Sequence, residues 1–238
     1  PDPHYPKIVQ LVGGAPALMA EAALVMQAKG ADIIDINLGC PAKTVARQQA
    51  GSALLADLGQ VAKILAAVSR AVSIPVTVKT RLGYHDDQPT LFELAAIAED
   101  NGVAALAVHG RSRAQKYNGT ADHAAIAALK NRTRLPVIAN GDIRDATQAK
   151  TLIDRYGFDG LMIGRAALGD PWLFARCQAA VNGIPTPAAD KNAQIRAHLH
   201  DLHQHYGAQA TRIARKHLHA YLRDHPAYAA LRDAINHA

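Results

Sequence analysis

Short runs of β-branched and aliphatic residues alternate with longer, alanine-rich stretches along most of the chain. The apolar runs cover Ile8–Val12, Asp32–Asn37, Pro75–Arg81, Val103–His109, Leu135–Asn140 and Gly160–Gly164. Helical patterns lie between them, near Ala15–Lys29, Asp57–Ala71, Thr90–Asn101, Asp122–Lys130 and Ala146–Tyr156. Strands that alternate with helices of this length predict βα units and a parallel sheet.

Polar residues and glycines follow the carboxyl ends of these apolar runs. The runs are almost continuous in Ile, Val, Leu and Ala, which is typical of strands buried on both faces. A TIM (β/α)8 barrel builds its active site at the carboxyl ends of its strands, so the pattern predicts this α/β fold. Because such a barrel has eight strands and the sequence holds six runs, we expect its first two strands to be absent from this chain.

A change in composition near residue 182 predicts a second domain. Asn182-Gly183-Ile184-Pro185-Thr186-Pro187 is a turn and linker signal, and helical patterns follow near Ala188–Tyr206, Ala208–Asp224 and Ala227–His237. Residues 182–238 contain seven Lys or Arg and four Asp or Glu, a net charge of +3. We therefore expect a barrel over residues 1–181 and a small, basic, all-α domain over residues 182–238.

The composition favours a folded, basic protein. Of 238 residues, 49% are hydrophobic and 19% are charged, so a sizeable core is expected. A net charge of +6 suits an anionic partner such as a nucleic acid, although many basic proteins bind none. The two cysteines have no partners at metal-like spacing, which favours a reducing cytoplasm over disulfides or a zinc site. No signal peptide or apolar run of about 20 residues is present, so no membrane span is expected.

Cys40 stands directly after the second apolar run, between Gly39 and Pro41. A cysteine at the catalytic mouth of a barrel can be exposed and can give or take a proton. A lone cysteine is more often a small buried hydrophobe, and we prefer that interpretation for Cys177, which lies in a helical pattern beside Phe174. The strand-end position favours a functional role for Cys40.

Two late strand ends have the features of a phosphate site. Ala139-Asn140-Gly141-Asp142 and Ile163-Gly164-Arg165-Ala166 end successive runs, and their glycines would let backbone N–H groups approach an anion. The last two loops of such a barrel are its usual phosphate site, although simple turn formation is an alternative. Lys79 would point into the barrel mouth, where an ammonium group can hold the electron-rich edge of a flavin.

Basic side chains at other strand ends and in the tail predict contacts with a nucleic acid. Guanidinium and ammonium groups suit phosphates, and a solvated surface is the alternative. The candidates are Lys43, Arg47, Arg111, Arg113, Arg212, Arg215 and Lys216. The tail also holds eight of the twelve histidines, but their spacing and lack of carboxylate partners predict no metal site.

These segments, in this order, resemble the bacterial tRNA-dihydrouridine synthases, especially the B-type branch. The matching stretches are Val9–Leu11, Asp35–Lys43, Ala50–Leu55, Val78–Arg81, Val108–Arg111, Val137–Ile143, Leu161–Ala167 and Ile213–His217. Each stretch is short, but the ordered set is specific and covers nearly the whole chain. The family's first strand carries a Pro-Met-Ala-Gly-like segment; neither that strand nor the second strand of the family is found here, which agrees with the expectation of two absent strands.

The resemblance implies an FMN-binding catalytic barrel followed by a helical tRNA-binding domain. It implies that NADPH reduces FMN, that a uridine is flipped out of the tRNA, and that hydride passes from flavin N5 to uracil C6 while Cys40 protonates C5. The product is 5,6-dihydrouridine. A monomeric enzyme that acts on tRNA in the cytoplasm is expected.

The resemblance also assigns residues of this chain to the cofactor and to the substrate. The cofactor residues are Gln10, Lys79, His109, Asn140, Gly141, Asp142, Gly164 and Arg165. The substrate or tRNA residues are Asn37, Lys43, Arg47, Arg81, Arg111, Arg113, Arg215 and Lys216.

Two other interpretations stay open. A flavin barrel could act on a free pyrimidine or another small molecule, as a dihydroorotate dehydrogenase does. The basic helical tail and the side chains of Arg111 and Arg113 favour RNA, because a small substrate needs neither. The chain could also be a non-catalytic RNA-binding fragment, an interpretation that bound flavin would exclude.

Overall fold

The protein is represented by a computed structural model that describes residues 5–186 and 188–237. Within these residues, six parallel strands form one sheet in which each strand pairs with its neighbour in the chain. The strands are β1 (Ile8–Leu11), β2 (Ile33–Asn37), β3 (Val76–Arg81), β4 (Ala105–His109), β5 (Val137–Asn140) and β6 (Gly160–Met162). This order confirms the predicted α/β class, with six of the eight strands of a TIM barrel among the described residues.

Helices connect the strands and form the tail. The α-helices are α1 (Pro16–Ala28), α2 (Lys43–Arg47), α3 (Leu58–Ala71), α4 (Leu91–Asp100), α5 (His123–Lys130), α6 (Ala146–Tyr156), α7 (Leu173–Asn182), α8 (Lys191–Tyr206), α9 (Ala210–Leu222) and α10 (Tyr228–His237). Short 3₁₀ helices occupy Gly51–Ala56, Arg165–Ala167 and Gly207–Gln209. The predicted strands and helices are present with small shifts at their ends. The short helix α2 and the 3₁₀ helices were not predicted, and α7 was indicated only by the helical pattern around Cys177. In the described parts of the chain, no helix is both long and apolar enough to cross a membrane.

Aspartate side chains cap four of these helices, and α6 is capped by Asp145, which accepts from the Gln148 N–H at 2.8 Å. The carboxylates of Asp57, Asp122 and Asp190 accept hydrogen bonds from backbone N–H groups in the first turns of α3, α5 and α8. Each bond satisfies a donor that the helix itself leaves unpaired. These caps therefore set where the helices begin after the preceding loops.

The main core lies between the sheet and its helices. Strand residues Ile34, Ile36, Val78 and Leu106 are fully buried, and α3 contributes a fully buried stripe. The stripe consists of Val61, Ile64, Leu65 and Val68. Strands covered on both faces require this nearly continuous apolar sequence. A smaller core around Leu202, Ala210 and Ala214 holds α8 and α9 together.

The described residues divide into two compact units. The first contains the residues up to Asp142 together with Leu152–Met162, and the second contains Ile143–Thr151 and the residues from Ile163 onward. The first unit holds all six strands among these residues. The boundaries between these two units do not coincide with the change in composition near residue 182. The domain boundary inferred from that change stays a prediction.

In the second unit, the segment that follows β6 packs closely on α9. Gly169 has a φ of +80°, and a Cβ atom at this position would lie 2.2 Å from the carbonyl oxygen of Ala220. The Arg223 guanidinium donates to the Leu168 carbonyl at 3.2 Å. Both the backbone conformation and the close approach therefore require glycine here.

Replacing Gly169 by alanine should lower the free energy of unfolding more than the same change at Gly183. Both glycines have positive φ, so each alanine carries left-handed strain of about 1 kcal/mol. Gly183 has open space around it, whereas the clash at Gly169 should cost a further ~1–3 kcal/mol. Urea unfolding followed by circular dichroism measures both losses, and equal losses would contradict the close contact with α9.

Candidate active site

The strand register brings the predicted site residues of the first unit to one edge of the sheet. Asn37 pairs with Lys79, Arg81 with His109, and His109 with Asn140. Because all six strands are parallel, these carboxyl-terminal positions share the edge at which such folds bind their ligands. Residues far apart in sequence therefore line one surface.

The loop at Cys40 is held on both sides by hydrogen bonds to its backbone. The N–H groups of Gly39 and Cys40 both donate to Asn37 Oδ1 at 2.9 Å. The Cys40 carbonyl accepts from Ser52 Oγ at 2.8 Å and from the Ser52 N–H at 3.1 Å. Gly51 has a φ of +61°, and a Cβ there would lie 2.9 Å from the Cys40 carbonyl oxygen. The half-buried Cys40 thiol is thus presented by a backbone whose polar groups are already paired.

A chain of side-chain hydrogen bonds orients Asn37. Its Nδ2 donates to Gln10 Oε1 at 2.8 Å, and Gln10 Nε2 donates to Asp35 at 2.7 Å. Thr77 donates to the other oxygen of Asp35, also at 2.7 Å. Since Asn37 Oδ1 already accepts two bonds, one N–H of this carboxamide is left to donate to a substrate. Much of the polar capacity of Gln10 and Asn37 is used within the protein.

Arg81 is buried among backbone carbonyls. Its side chain donates to Gly39 O at 2.8 Å, to Ser112 O at 3.0 Å and to Lys116 O at 2.8 Å, and the residue is 2% exposed. Burial and the positive charge of Arg111 lower the pKa of Arg81 from its ordinary value. These contacts favour a structural role over the predicted contact of Arg81 with substrate or tRNA.

Lys79 is a half-buried cation at the same edge. Burial and the neighbouring Arg81 lower the pKa of Lys79 to about 8, against a smaller opposing effect of Asp35. Its Nζ donates to the Thr80 carbonyl at a long 3.4 Å, so most of its donor capacity remains available. This environment destabilises the charged ammonium group and would favour an anionic ligand beside it.

His109 is buried and kept neutral by its surroundings. Burial and the positive charges of Arg81, Lys79 and Arg111 lower the pKa of His109 to about 3, despite the opposing effect of Asp142. The His109 Nε2 atom lies 3.3 Å from Arg111 Nη1, and since arginine can only donate, Nε2 must accept. The proton of the neutral imidazole therefore belongs on Nδ1, which is a donor without a charge.

Arg111 supports the loop after β5. It is 2% exposed, and its guanidinium pairs with Asp142 at 2.6 Å and donates to the carbonyls of Asn118 and Gly119. The Ala121 N–H also donates to the Asp142 carboxylate. These contacts favour structural roles over the predicted phosphate contact of Arg111 and over a direct contact of the Asp142 carboxylate with a cofactor phosphate.

The remaining parts of the predicted phosphate site belong to both compact units. Asn140 Nδ2 donates to the Met162 carbonyl at 2.7 Å, and Gly141 adopts a φ of +119°. The Gly141 carbonyl contacts His123 Nε2 at 2.9 Å. Gly164 and Arg165 follow β6 in the second unit and are exposed. Their joint role in phosphate binding stays a prediction.

The other basic candidates differ in exposure. Lys43 and Arg47 are exposed at opposite ends of the short helix α2, one turn apart. Arg113 is half-buried and lies over the Tyr84 ring at 4.5 Å. On α9, Lys216 is exposed and Arg215 is half-buried. Lys43, Arg47 and Lys216 therefore present their charges to solvent, as a phosphate contact requires.

Sequence reasoning did not single out four residues that support the site. Ser52 binds the Cys40 carbonyl, Asp35 and Thr77 orient Gln10, and Tyr117 lies 5.6 Å from the Arg81 guanidinium. Asp35 could have been noticed, because it is a carboxylate between two isoleucines in the middle of a buried strand. Ser52 lies twelve residues after Cys40, and nothing local to either residue signals their contact.

Comparison with protein families matches all of residues 1–238 to one family, whose description is dihydrouridine synthase (Dus). The chain belongs to the dihydrouridine synthase family. The resemblance inferred from the ordered motifs is therefore confirmed.

Curated relatives carry the B-type name. The chain is 48% identical to tRNA-dihydrouridine synthase B of Xanthomonas campestris pv. campestris over 243 residues, which cover 100% of this chain and 72% of the relative. It is 46% identical to the Klebsiella pneumoniae protein of the same name, covering 92% of this chain and 70% of the relative. It is 45% identical to the Escherichia coli K12 protein of the same name, covering 97% of this chain and 73% of the relative. This dihydrouridine synthase chain thus spans a little under three quarters of each relative.

Solved structures support the fold assignment. A mandelate racemase/muconate lactonizing enzyme from Roseiflexus sp. superposes with a TM-score of 0.55 and 18% identity, covering 75% of this chain and 45% of that chain. A dipeptide epimerase from Enterococcus faecalis gives a TM-score of 0.52 and 14% identity, covering 75% and 46%. At these identities the similarity concerns the fold of the dihydrouridine synthase chain and not its chemistry.

Replacing His109 by asparagine should weaken the dependence of stability on acid pH. The pKa of His109 in the folded protein is about 3, which is below the ordinary value of a histidine. As the pH falls, this imidazole is therefore protonated in the unfolded chain before it is protonated in the folded chain. Stability is therefore lost as pH falls below about 6.5, by on the order of 1 kcal/mol at pH 5.5. Urea unfolding at pH 7.5 and 5.5 should show a smaller fall for the variant. An equal fall in both proteins would contradict the buried, neutral imidazole.

Proposed function

We propose that this chain catalyses the FMN- and NADPH-dependent reduction of uridine in tRNA to 5,6-dihydrouridine. The observation that carries the proposal is the Cys40 loop, in which a half-buried thiol is presented by a fully bonded backbone. Lys79 and His109 stand at the same sheet edge. The names of the curated relatives, at 45–48% identity, support the same activity.

The donor set at this edge fits a phosphate-bearing cofactor whose ring gains negative charge when it is reduced. Lys79 and Arg81 are cations, and among the described residues neither forms a salt bridge. His109 adds a neutral N–H donor. Buried cations of this kind are stabilised when a ligand supplies negative charge. When bound and reduced by NADPH, FMN supplies the hydride that reaches C6 of the uracil.

Each end of the cofactor has its own proposed residues. Gln10, Lys79 and His109 would hold the ring, with the ammonium group of Lys79 beside its most electron-rich edge. Asn140, Gly141, Gly164 and Arg165 would hold the phosphate end through backbone N–H groups and the Arg165 charge. Asp142 would act indirectly, by holding the Gly141 loop through Arg111.

Cys40 supplies the proton that completes the reduction. Addition of hydride at C6 leaves an enolate at the C5 and O4 atoms of the uracil, and this enolate is quenched when C5 gains a proton. A thiol fixed by its neighbours delivers that proton to one face of the ring. The free N–H of Asn37 would orient the uracil, and the nearby cations lower the energy of the developing negative charge.

The RNA partner is proposed from the basic side chains that face solvent. A uridine inside a folded tRNA must leave its stack before it can reach the site. Lys43 and Arg47 stand just after Cys40 and could contact the RNA backbone near the target, whereas Lys216 and Arg215 could contact it from α9. Half-buried Arg113 could contribute at the β4–α5 loop. A cytoplasmic location and a monomeric state belong to the same proposal.

Replacing Cys40 by alanine should abolish dihydrouridine formation and leave the cofactor chemistry intact. Loss of a proton donor typically costs about 10²–10⁴-fold in rate. Reduction of bound flavin by NADPH, followed at its visible absorption band, should proceed at the parental rate, while dihydrouridine in tRNA is counted by mass spectrometry. Cys177→Ala is the matched control, since Cys177 is buried in α7. If Cys40→Ala still forms dihydrouridine at the parental rate, the proton comes from another group.

Binding to total tRNA should be sensitive to salt, and Lys216→Ala should reduce that sensitivity. Each phosphate contact that is lost lowers the slope of log K against log salt by about 0.7–0.9. Filter binding between 50 and 200 mM salt measures the slope, and Lys63→Ala, which removes an exposed lysine of α3, is the control. Absence of salt-dependent binding by the parent chain would favour a small-molecule substrate instead.

A further inference from the structure

Arg81 donates hydrogen bonds to two loops at the candidate active-site edge. One is the Cys40 loop, residues 38–41, and the other is the segment of residues 112–118, which we call the 112–118 loop. We propose that Arg81 is a positioning residue that holds the Cys40 loop against the 112–118 loop and so fixes the place from which Cys40 acts. The inference rests on the proposed function in its last step, since it takes Cys40 as the proton donor.

The geometry of the guanidinium carries the first part of the inference. Arg81 Nε donates to Gly39 O at 2.8 Å, while Nη1 donates to Ser112 O at 3.0 Å and to Lys116 O at 2.8 Å. The donors therefore reach both loops at once. An arginine can do this because its N–H groups form a rigid, planar fork, which the single flexible ammonium group of lysine cannot reproduce.

Each loop is otherwise held to its own surroundings. Asn37 and Ser52 fix the Cys40 loop to β2 and to the Gly51–Ala56 turn. Within the 112–118 loop, the Ser112 N–H donates to Gln115 Oε1, and the Gln115 N–H donates back to Ser112 Oγ. Lys116 adopts a positive φ of 54° at the turn whose carbonyl Arg81 binds. Removing the guanidinium would leave three carbonyl oxygens without this donor and would loosen the hold of the Cys40 loop on the 112–118 loop. The backbone bonds of Leu38 to β3 and of Arg113 to Gly83 would remain.

The burial of Arg81 argues against a direct contact with the tRNA backbone. The residue is 2% exposed, and three of its five N–H groups are committed to carbonyls. A phosphate contact requires a cation that can reach the RNA backbone, where it displaces the counterions condensed on the phosphates. Effects of Arg81 on catalysis should therefore pass through the position of Cys40 and should not appear in the electrostatics of RNA binding.

The first test uses the full, unsubstituted chain. Native-state hydrogen exchange in low concentrations of urea measures the opening of the amides of Gly39 and Cys40 and of the 112–118 loop. If Arg81 links the loops, both groups of amides should open with the same free energy and the same urea dependence, as one cooperative unit. Separate opening, with the 112–118 loop exchanging by a different process, would overturn the inference.

The second test compares Arg81→Lys and Arg81→Gln with the matched control Arg134→Lys, whose side chain is 91% exposed. All variants carry Cys177→Ala, so that iodoacetamide reports on Cys40. In either Arg81 variant, the rate of Cys40 alkylation should change by about fivefold or more. Amide exchange in both loops should be about tenfold faster, because a tenfold change follows the loss of about one hydrogen bond. The Arg134 control should match the parent. Retention of the parental rates by Arg81→Lys would mean that charge alone suffices and would overturn the positioning role.

Steady-state kinetics with tRNA then connect position to catalysis. Loss of positioning should lower kcat at least tenfold and leave KM for tRNA and the salt slope of binding within error of the parent. A salt slope lowered by about 0.7–0.9 would instead identify a phosphate contact and contradict the inference. If the parent chain forms no dihydrouridine, the proposed function fails, while the exchange and alkylation results still decide whether Arg81 joins the two loops.

Discussion

Parallel hydrogen bonding between β2, β3 and β4 brings the proposed site residues of this chain to one edge of the sheet. The register pairs Asn37 with Lys79 and Arg81 with His109, so side chains 42 and 28 residues apart along the chain become neighbours. Strands β2 and β4 are buried over most of their length. Polar side chains that must reach a ligand are therefore placed at the last residues of these strands. A slip of the register by one residue would turn these side chains to the opposite face.

The candidate site contains three cationic side chains that differ in the partners of their charged groups. Arg111 has a carboxylate partner in Asp142, whereas Arg81 is surrounded by carbonyl oxygens and Lys79 retains little more than a long bond to Thr80. His109 lies between these groups and stays neutral. The result is a surface with an excess of positive charge and an uncharged donor, which suits a ligand that gains negative charge during its reaction.

The strands, the connecting helices and the residues at the strand ends could be predicted from the sequence, because apolar period and turn chemistry are local signals. The contacts that each arginine side chain makes could not be predicted in this way. Arg81, Arg111 and Arg113 look alike in sequence, yet the first two are buried and hold loops together, while Arg113 stacks on Tyr84. Their partners are backbone carbonyls and a carboxylate that only the folded loops bring near. The support of Cys40 by Ser52 depends on tertiary contact in the same way.

The depressed pKa of Lys79 links ligand binding to proton uptake. With a pKa of about 8, a measurable fraction of the side chain is already neutral slightly above physiological pH. An anion that binds beside it restores the preference for the charged form, so the protein draws part of a proton from the solvent as the complex forms. The heat of such an association then depends on the ionisation enthalpy of the buffer. Because Lys79 must be protonated to hold its charge, anion binding at this edge should weaken as the pH rises above about 8.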